Sequence, residues 1–177
     1  MRPFRLAAVV GFASLAGSPA SAQISRASLI EVVQSHKASV LRYIDAAPDS
    51  MLGFRPTPGV RTFAEQVKHV ATTNYEFFSA ALGEKSAVDT SNENGPASIT
   101  SKADIVKFLK DSFALGHRAA KSLTEQNFEE RVAIGQGKST RLFLNTFAVA
   151  HAFDHYGQMV EYLRMNGIVP PASRPQQ

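Results

Sequence analysis

Four stretches of this chain place apolar side chains at the 3.6-residue period, and residues that cannot continue a helix bound each of them. In the first, Leu29, Ile30, Val33, Val40, Leu41 and Ile44 follow the capping-box spacing of Ser28-Leu29-Ile30-Glu31, and the stretch ends near Ala47-Pro48. Phe54-Arg55-Pro56-Thr57-Pro58-Gly59 excludes helix, because each proline fixes its own φ and drives the preceding residue toward extended geometry. Thr62-Phe63-Ala64-Glu65 repeats the capping pattern and opens a second stripe of Phe63, Val67, Val70, Phe77, Phe78 and Ala81, which stops around Gly83. A third stripe starts at Ser101 or Lys102 and turns Ile105, Phe108, Leu109, Ser112, Phe113, Ala120 and Leu123 inward. The fourth runs from about Ser139 to Asn166, with Gly167 as a stop and Pro170-Pro171 beyond. Helices of about 20 to 28 residues, roughly 30 to 40 Å long, can bury such stripes only against one another. The expected fold is all-α, a four-helix bundle.

The connections are less regular. Gly83 to Thr100 is polar, contains Gly95-Pro96 and shows no period, so it reads as a long surface connection between helices two and three. That length permits a crossover between non-adjacent bundle ends, and it suits a lid and a floppy linker equally. Before the fourth helix, Gly135-Gln136-Gly137 breaks the chain; Val132 to Ile134 makes at most a short extended piece, and no sheet is expected.

Residues 1–22 read as a secretory signal peptide rather than as part of the fold. Arg2 and Arg5 give a positive start, Leu6 to Gly17 an apolar stretch, and Ala20-Ser21-Ala22 a small-residue cleavage site. The bundle domain is then 23–177, and the expected location is the periplasm or the exterior. A bilayer core of about 30 Å needs about 20 apolar residues as helix, so the leader is too short to span it and no stable insertion is expected after cleavage. The 19 basic and 15 acidic residues give a formal charge of +4, and two of the basic residues belong to the leader. So small and scattered an excess argues against nucleic acid as the partner. There is no cysteine, which excludes disulfides, thiolate ligands and a cysteine nucleophile. Chemistry is left to histidines, carboxylates, hydroxyls and backbone.

In the fourth stretch, steps of 100° put Leu144, Phe147, Ala148, His151, His155, Gln158 and Tyr162 on one narrow face. An unpartnered polar group taken out of water costs on the order of 1 to 3 kcal/mol, so two imidazoles in mid-stripe need something to bind. Residues at i and i+4 lie about 6 Å apart at Cβ, near enough to share one ion. Spacing alone leaves two readings open: imidazoles satisfied by backbone, tyrosine or water, or imidazoles on a metal. A third ligand would decide. His36 and His117 sit on apolar stripes without an i+4 partner and read as partly buried ring fillers. His69 falls on the flank of helix two, in a column with Thr62, Glu65 and Glu76, where periodicity alone makes it exposed, although a flank position in a bundle can face an inter-helix site.

Two stretches together resemble a known family, the DinB-like or YfiT-like metalloenzymes, which are four-helix bundles. They are Phe54-Arg55-Pro56 with Pro58-Gly59, leading into the helix of His69, and His151-Ala-Phe-Asp-His155-Tyr-Gly157-Gln158 with Tyr162-Leu163-Arg164, Gly167 and Pro170-Pro171. The likeness spans about residues 27 to 171. It implies that His69, His151 and His155 hold a divalent metal. Many members carry Arg where this chain has Tyr156. Characterised relatives include thiol-dependent S-transferases and a thiol-dependent isomerase, so the resemblance does not fix the reaction.

Three neutral imidazoles leave at least one coordination position open, as catalytic sites require, and imidazole suits Zn and Ni alike. Asp154 and Gln158 are candidates for orienting an imidazole or a bound water; Glu65 is explained more simply by its capping position. No catalytic residue is assigned. The expected function is that of an exported divalent-metal protein, a metal-dependent transferase or hydrolase of a small molecule. Export weakens the thiol-dependent version. The alternative is a non-catalytic metal- or ligand-binding module, for which a homodimer through an exposed helix face is the expected partner.

Overall fold

The computed structural model describes residues 26–175, so the expected signal peptide at 1–22 lies outside the described residues. Four helices carry the fold: α1 (Arg26–Ala46), α2 (Phe63–Leu82), α3 (Lys102–Ser122) and α4 (Arg141–Met165), with single 3-10 turns at Asp49–Met51 and Pro171–Ser173. The capping box before α2 forms as its sequence demands: Glu65 N–H donates to Thr62 Oγ1 at 3.2 Å, and Thr62 N–H donates to Glu65 Oε2 at 2.7 Å. Gly83 closes α2 in the left-handed region at φ 73°, where a side chain would be strained. Ser101 and Thr140 cap α3 and α4 in the same way as Thr62, each accepting from the N–H three residues on. Ser28 is not a cap, because α1 is already helical at Arg26.

A short sheet corrects one expectation. Strands β1 (Arg131–Ile134) and β2 (Gly137–Thr140) form an antiparallel hairpin, with Arg131 opposite Thr140 and Ile134 opposite Gly137. The turn is Gly135-Gln136, with Gly135 at φ 54° in the first central position, where a type II′ hairpin turn needs a positive φ. Ser139 and Thr140 therefore belong to the hairpin, and the last helix starts at Arg141.

Both α1 and α2 pack on α3 and α4, so α1 and α2 face one another across the bundle. The link crossing the diagonal is thus residues 47–62, whereas the longer 83–101 segment joins neighbours. The latter is neither a crossover nor a loose linker. Lys68 Nζ donates to Pro96 O at 3.1 Å, and Gly95, at φ 73°, lies against α2 so closely that a Cβ would stand 2.8 Å from Lys68 Cβ. Covered by this segment and by two helices, α2 buries every residue from Gln66 to Asn74. On its other side α2 meets α3 at Gly116, where a Cβ would come within 2.5 Å of the Phe78 ring. The core runs from Leu29, Val40, Tyr43 and Ile44 of α1 through Val67, Val70, Ile105 and Leu109 to Met159 and Leu163 of α4. Among the described residues, no helix is long and apolar enough to cross a membrane.

Candidate metal centre

The stretch around His69 is buried on all sides, and α4 packs against it, so three imidazoles from two helices meet. His69 is 8% exposed and His155 6%, with His151 half-buried between them and solvent. His151 Nε2 lies 3.1 Å from His69 Nε2 and 3.1 Å from His155 Nε2, and the ligand atoms of all three fall within 4.8 Å of one another. The structure brings the three expected ligands together, including the one that periodicity alone left on the surface.

The opposite ring nitrogens show which way each imidazole is held. His69 Nδ1 donates to the carbonyl of Glu93 at 2.6 Å, and His155 Nδ1 donates to Gln66 Oε1 at 2.7 Å. The Gln66 amide is itself fixed, its Nε2 donating to Gln158 Oε1 at 2.7 Å and reaching Tyr162 Oη at 3.3 Å, while Tyr162 donates to the carbonyl of Arg61 at 2.9 Å. A carbonyl oxygen can only accept, so His69 and His155 carry their protons on Nδ1 and present bare lone pairs at Nε2. His151 Nε2 can donate to one of these at most. At least one of the close nitrogen pairs therefore sets lone pair against lone pair, in a buried place, unless a cation lies between them.

Electrostatics keep all three rings neutral at ordinary pH. Burial, and then the neighbouring His69, push His151 down to about 4; burial, then His151 and His69, push His155 down to about 3. Burial also lowers His69, opposed by its bond to Glu93. The charge of Asp154 acts in the opposite sense on His151 and His155, and that of Arg61 lowers all three. Neutral imidazole is the form that binds a metal. The donor set fits: nitrogens bound at about 2.0 to 2.1 Å on a tetrahedral ion stand about 3.3 Å apart, close to the 3.1 Å that separates His151 Nε2 from each of the other two.

Neither Asp154 nor Gln158 hydrogen-bonds an imidazole. Gln158 is one hydrogen bond removed from the amide that orients His155, and exposed Asp154 accepts from Gln158 Nε2 at 2.9 Å, a step further out. The orienting groups are Gln66 and the Glu93 carbonyl. Gln66 was legible in principle, since it lies three residues before His69 and so on the same helical face. A main-chain carbonyl from a distant loop leaves no sequence signal at all. Glu65 stays in its capping box, and Tyr156 donates to Tyr43 Oη at 2.7 Å, tying α4 to α1 away from the imidazoles.

A family model described as the DinB superfamily matches residues 32–159. Among curated proteins none matches. A DinB-like protein from Bacillus cereus superposes with a TM-score of 0.69 at 17% identity, covering 82% of this chain and 95% of that one. YfiT from Bacillus subtilis, described as a probable metal-dependent hydrolase with an unusual four-helix bundle topology, superposes with a TM-score of 0.64 at 18% identity, covering 83% and 92%. A second Bacillus subtilis DinB-like protein gives 0.63 at 17% identity, covering 83% and 99%.

Proposed function

The chain belongs to the DinB superfamily, and on that premise we propose that it is a metal-dependent hydrolase of a small molecule, with His69, His151 and His155 as the ligands of a divalent ion, Zn or Ni. The observation that carries this reading is the convergence of three Nε2 atoms while two of the rings have their other nitrogen tied to an acceptor. Such outer hydrogen bonds are what ligating histidines show, because they set the tautomer and raise the basicity of the ligating nitrogen. A divalent ion with an open position supplies Lewis acidity and makes a water molecule more acidic. The protein's own share is to hold the rings. The Glu93 carbonyl and Gln66 keep two lone pairs aimed inward, burial keeps all three imidazoles unprotonated, and half-buried His151 leaves one side open to solvent. YfiT, described as a probable metal-dependent hydrolase on a four-helix bundle, supports hydrolysis over transfer. So does an N-terminus with the pattern of an export signal, since export separates the protein from cytosolic thiols.

Metal analysis of the purified protein after exposure to Zn or Ni, beside H69A, H151A and H155A, tests the site. About one equivalent in the wild type and none in the variants is expected. Absence of bound metal in the wild type removes the basis of the reading. Turnover of model esters or amides that is lost on chelation and restored by the ion separates an enzyme from a binding module; bound metal without turnover favours the module. N-terminal sequencing of protein recovered outside the cytoplasm is expected to begin at Gln23.

A further inference from the structure

Beside the imidazoles lies an open cleft of about 520 Å³, lined by Arg55 and Arg61 from the segment before α2, Glu65 on its first turn, Glu93 and Asn94 from the 83–101 connection, and Gln158 of α4. It is of small-molecule size. Its walls are shared with the histidine cluster: Glu93 supplies the carbonyl that holds His69, and Gln158 holds the amide that holds His155. The cleft thus adjoins the groups that hold His69 and His155, and the charge of Arg61 on its wall is felt by all three rings.

Its two guanidiniums are unequally committed. Arg61 Nε donates to Asn94 Oδ1 at 2.9 Å and Nη2 to Glu93 Oε2 at 2.9 Å; among the described residues, Nη1 meets no acceptor. Arg55 has one long contact, Nη2 to Glu65 Oε2 at 3.4 Å, on an oxygen that already accepts from Thr62 N–H. Glu65 is therefore a structural carboxylate. Glu93 is not: its side chain is 77% exposed and rests on Arg61 alone. With its carboxylate end in water the pair is screened and contributes little, although the Arg61 side chain itself is only 25% exposed; a planar carboxylate seated on that guanidinium matches its fork and is held by charge-assisted bonds. The Glu93 side chain thus occupies Arg61 as a loosely held resident, on a main chain that the His69 hydrogen bond keeps in place.

We propose that this cleft receives the carboxylate of a small substrate, with Arg61 as its seat, Arg55 as the second guanidinium, and the Glu93 side chain as the group that the incoming carboxylate displaces. This rests on the hydrolase reading only in making the bound carboxylate part of the substrate. The charge is recognised in the cleft while the bond to be broken lies over the histidines.

The test uses N-acetylglycine and its neutral counterpart N-acetylglycinamide, titrated into the metal-free protein and followed by NMR at the arginine Nε–H signals. N-acetylglycine is expected to shift the Arg61 and Arg55 signals and to bind, the amide to do neither. R61M is expected to weaken binding by at least about 10-fold, the loss typical of a charge-assisted contact, and R61K to restore part of it. E93Q keeps the carbonyl on His69 and removes the resident charge, so it is expected to bind the carboxylate about two- to fivefold more tightly, on the scale of an exposed pair, a gain that misfolding cannot produce. Equal binding of the amide, an R61M variant that binds as well as the wild type, no binding by either probe, or inorganic phosphate binding more tightly than the carboxylate would each overturn the proposal. Zinc retention in R61M, measured alongside, keeps the two readings apart. Metal bound normally with no arginine-dependent carboxylate binding sinks the cleft alone, and carboxylate binding without metal sinks the metal centre alone.

Discussion

One short piece of α4 faces two buried histidine environments that differ in kind. On one side His151 and His155 meet His69 of α2; on the other, Phe153 lies tilted against His36 of α1 with ring centroids 3.7 Å apart, and Phe113, also tilted, approaches the same imidazole at 6.2 Å. His36 is 0% exposed, more deeply buried than any member of the cluster, and burial lowers its pKa as well. Yet neither of its nitrogens has a hydrogen-bond partner; the backbone of Ala152 is near enough to favour the charged form slightly but does not meet hydrogen-bond geometry. Burial and a lowered pKa therefore do not mark a ligand. What separates the regions is convergence: in one, His69 and His155 are tied outward at Nδ1 by a carbonyl and an amide, and His151, whose own buried Nδ1 has no partner, brings its Nε2 to 3.1 Å from both; in the other an imidazole merely fills a hole between aromatic rings.

The widest separation between the two regions is expected on adding metal. Zinc at a hundredfold excess over its dissociation constant stabilises a folded site by about 2.7 kcal/mol, which for a domain of this size raises Tm by roughly 5 to 10 °C. Calorimetry should show that shift in the wild type and in H36L, and none in H69A or H155A. A zinc shift that survives H155A, or that disappears in H36L, would erase the distinction.

A smaller effect sharpens it. Removing an outer hydrogen-bonding partner of a ligating histidine typically weakens metal binding by about 10- to 100-fold. Competition titration with a chelator should find that loss in Q66L, whose wild-type amide holds His155, and a lesser one in Q158L, which acts through Gln66. Equal losses would mean that the chain of amides acts as a unit rather than through one oriented ring.

The same contrast explains what the sequence could reveal. Helical stripes and caps are local, and the bounds of α2 follow from Thr62, Glu65 and Gly83 alone. Of the hairpin at 131–140 only a short extended piece at 132–134 was legible, because its strands are four residues long with a single buried residue, Val132, so no alternation of apolar and polar residues marks them. His69 shows the limit of periodicity. Its helix lies under the 83–101 segment as well as between two neighbours, so the apolar stripe no longer tells inside from outside, and family resemblance rather than spacing identified it. His36 was legible as a core residue but not as an imidazole without partners, since that depends on where Phe113 and Phe153 arrive from other helices.

Replacing His36 by Leu removes two buried polar atoms without partners, each of which costs about 1 to 3 kcal/mol. After some loss of packing, H36L is expected to be about 1 kcal/mol more stable at pH 7 in denaturant titration, with zinc affinity unchanged. A destabilised H36L would mean that the ring contacts outweigh the orphaned nitrogens.

The last effect concerns acid, and its sign follows from proton counting. In the unfolded chain these imidazoles titrate near 6.5, whereas in the fold His36 and His69 are lowered, His151 lies at about 4 and His155 at about 3. Below about 6.5 the unfolded state therefore binds more protons than the native one, so stability falls with falling pH, and the loss ends only once the folded groups protonate in turn. Metal-free protein should lose stability steadily over that window. H36L should show a shallower slope, by up to about one proton, and H155A should do the same. With zinc present the two variants part, because protons then compete with the ion at the three-ring cluster and not at His36. The acid loss should become steeper in H36L as zinc is released and should stay unchanged in H155A. Identical behaviour of the two variants in zinc would place His36 and His155 in one class and dissolve the distinction between a filler and a ligand.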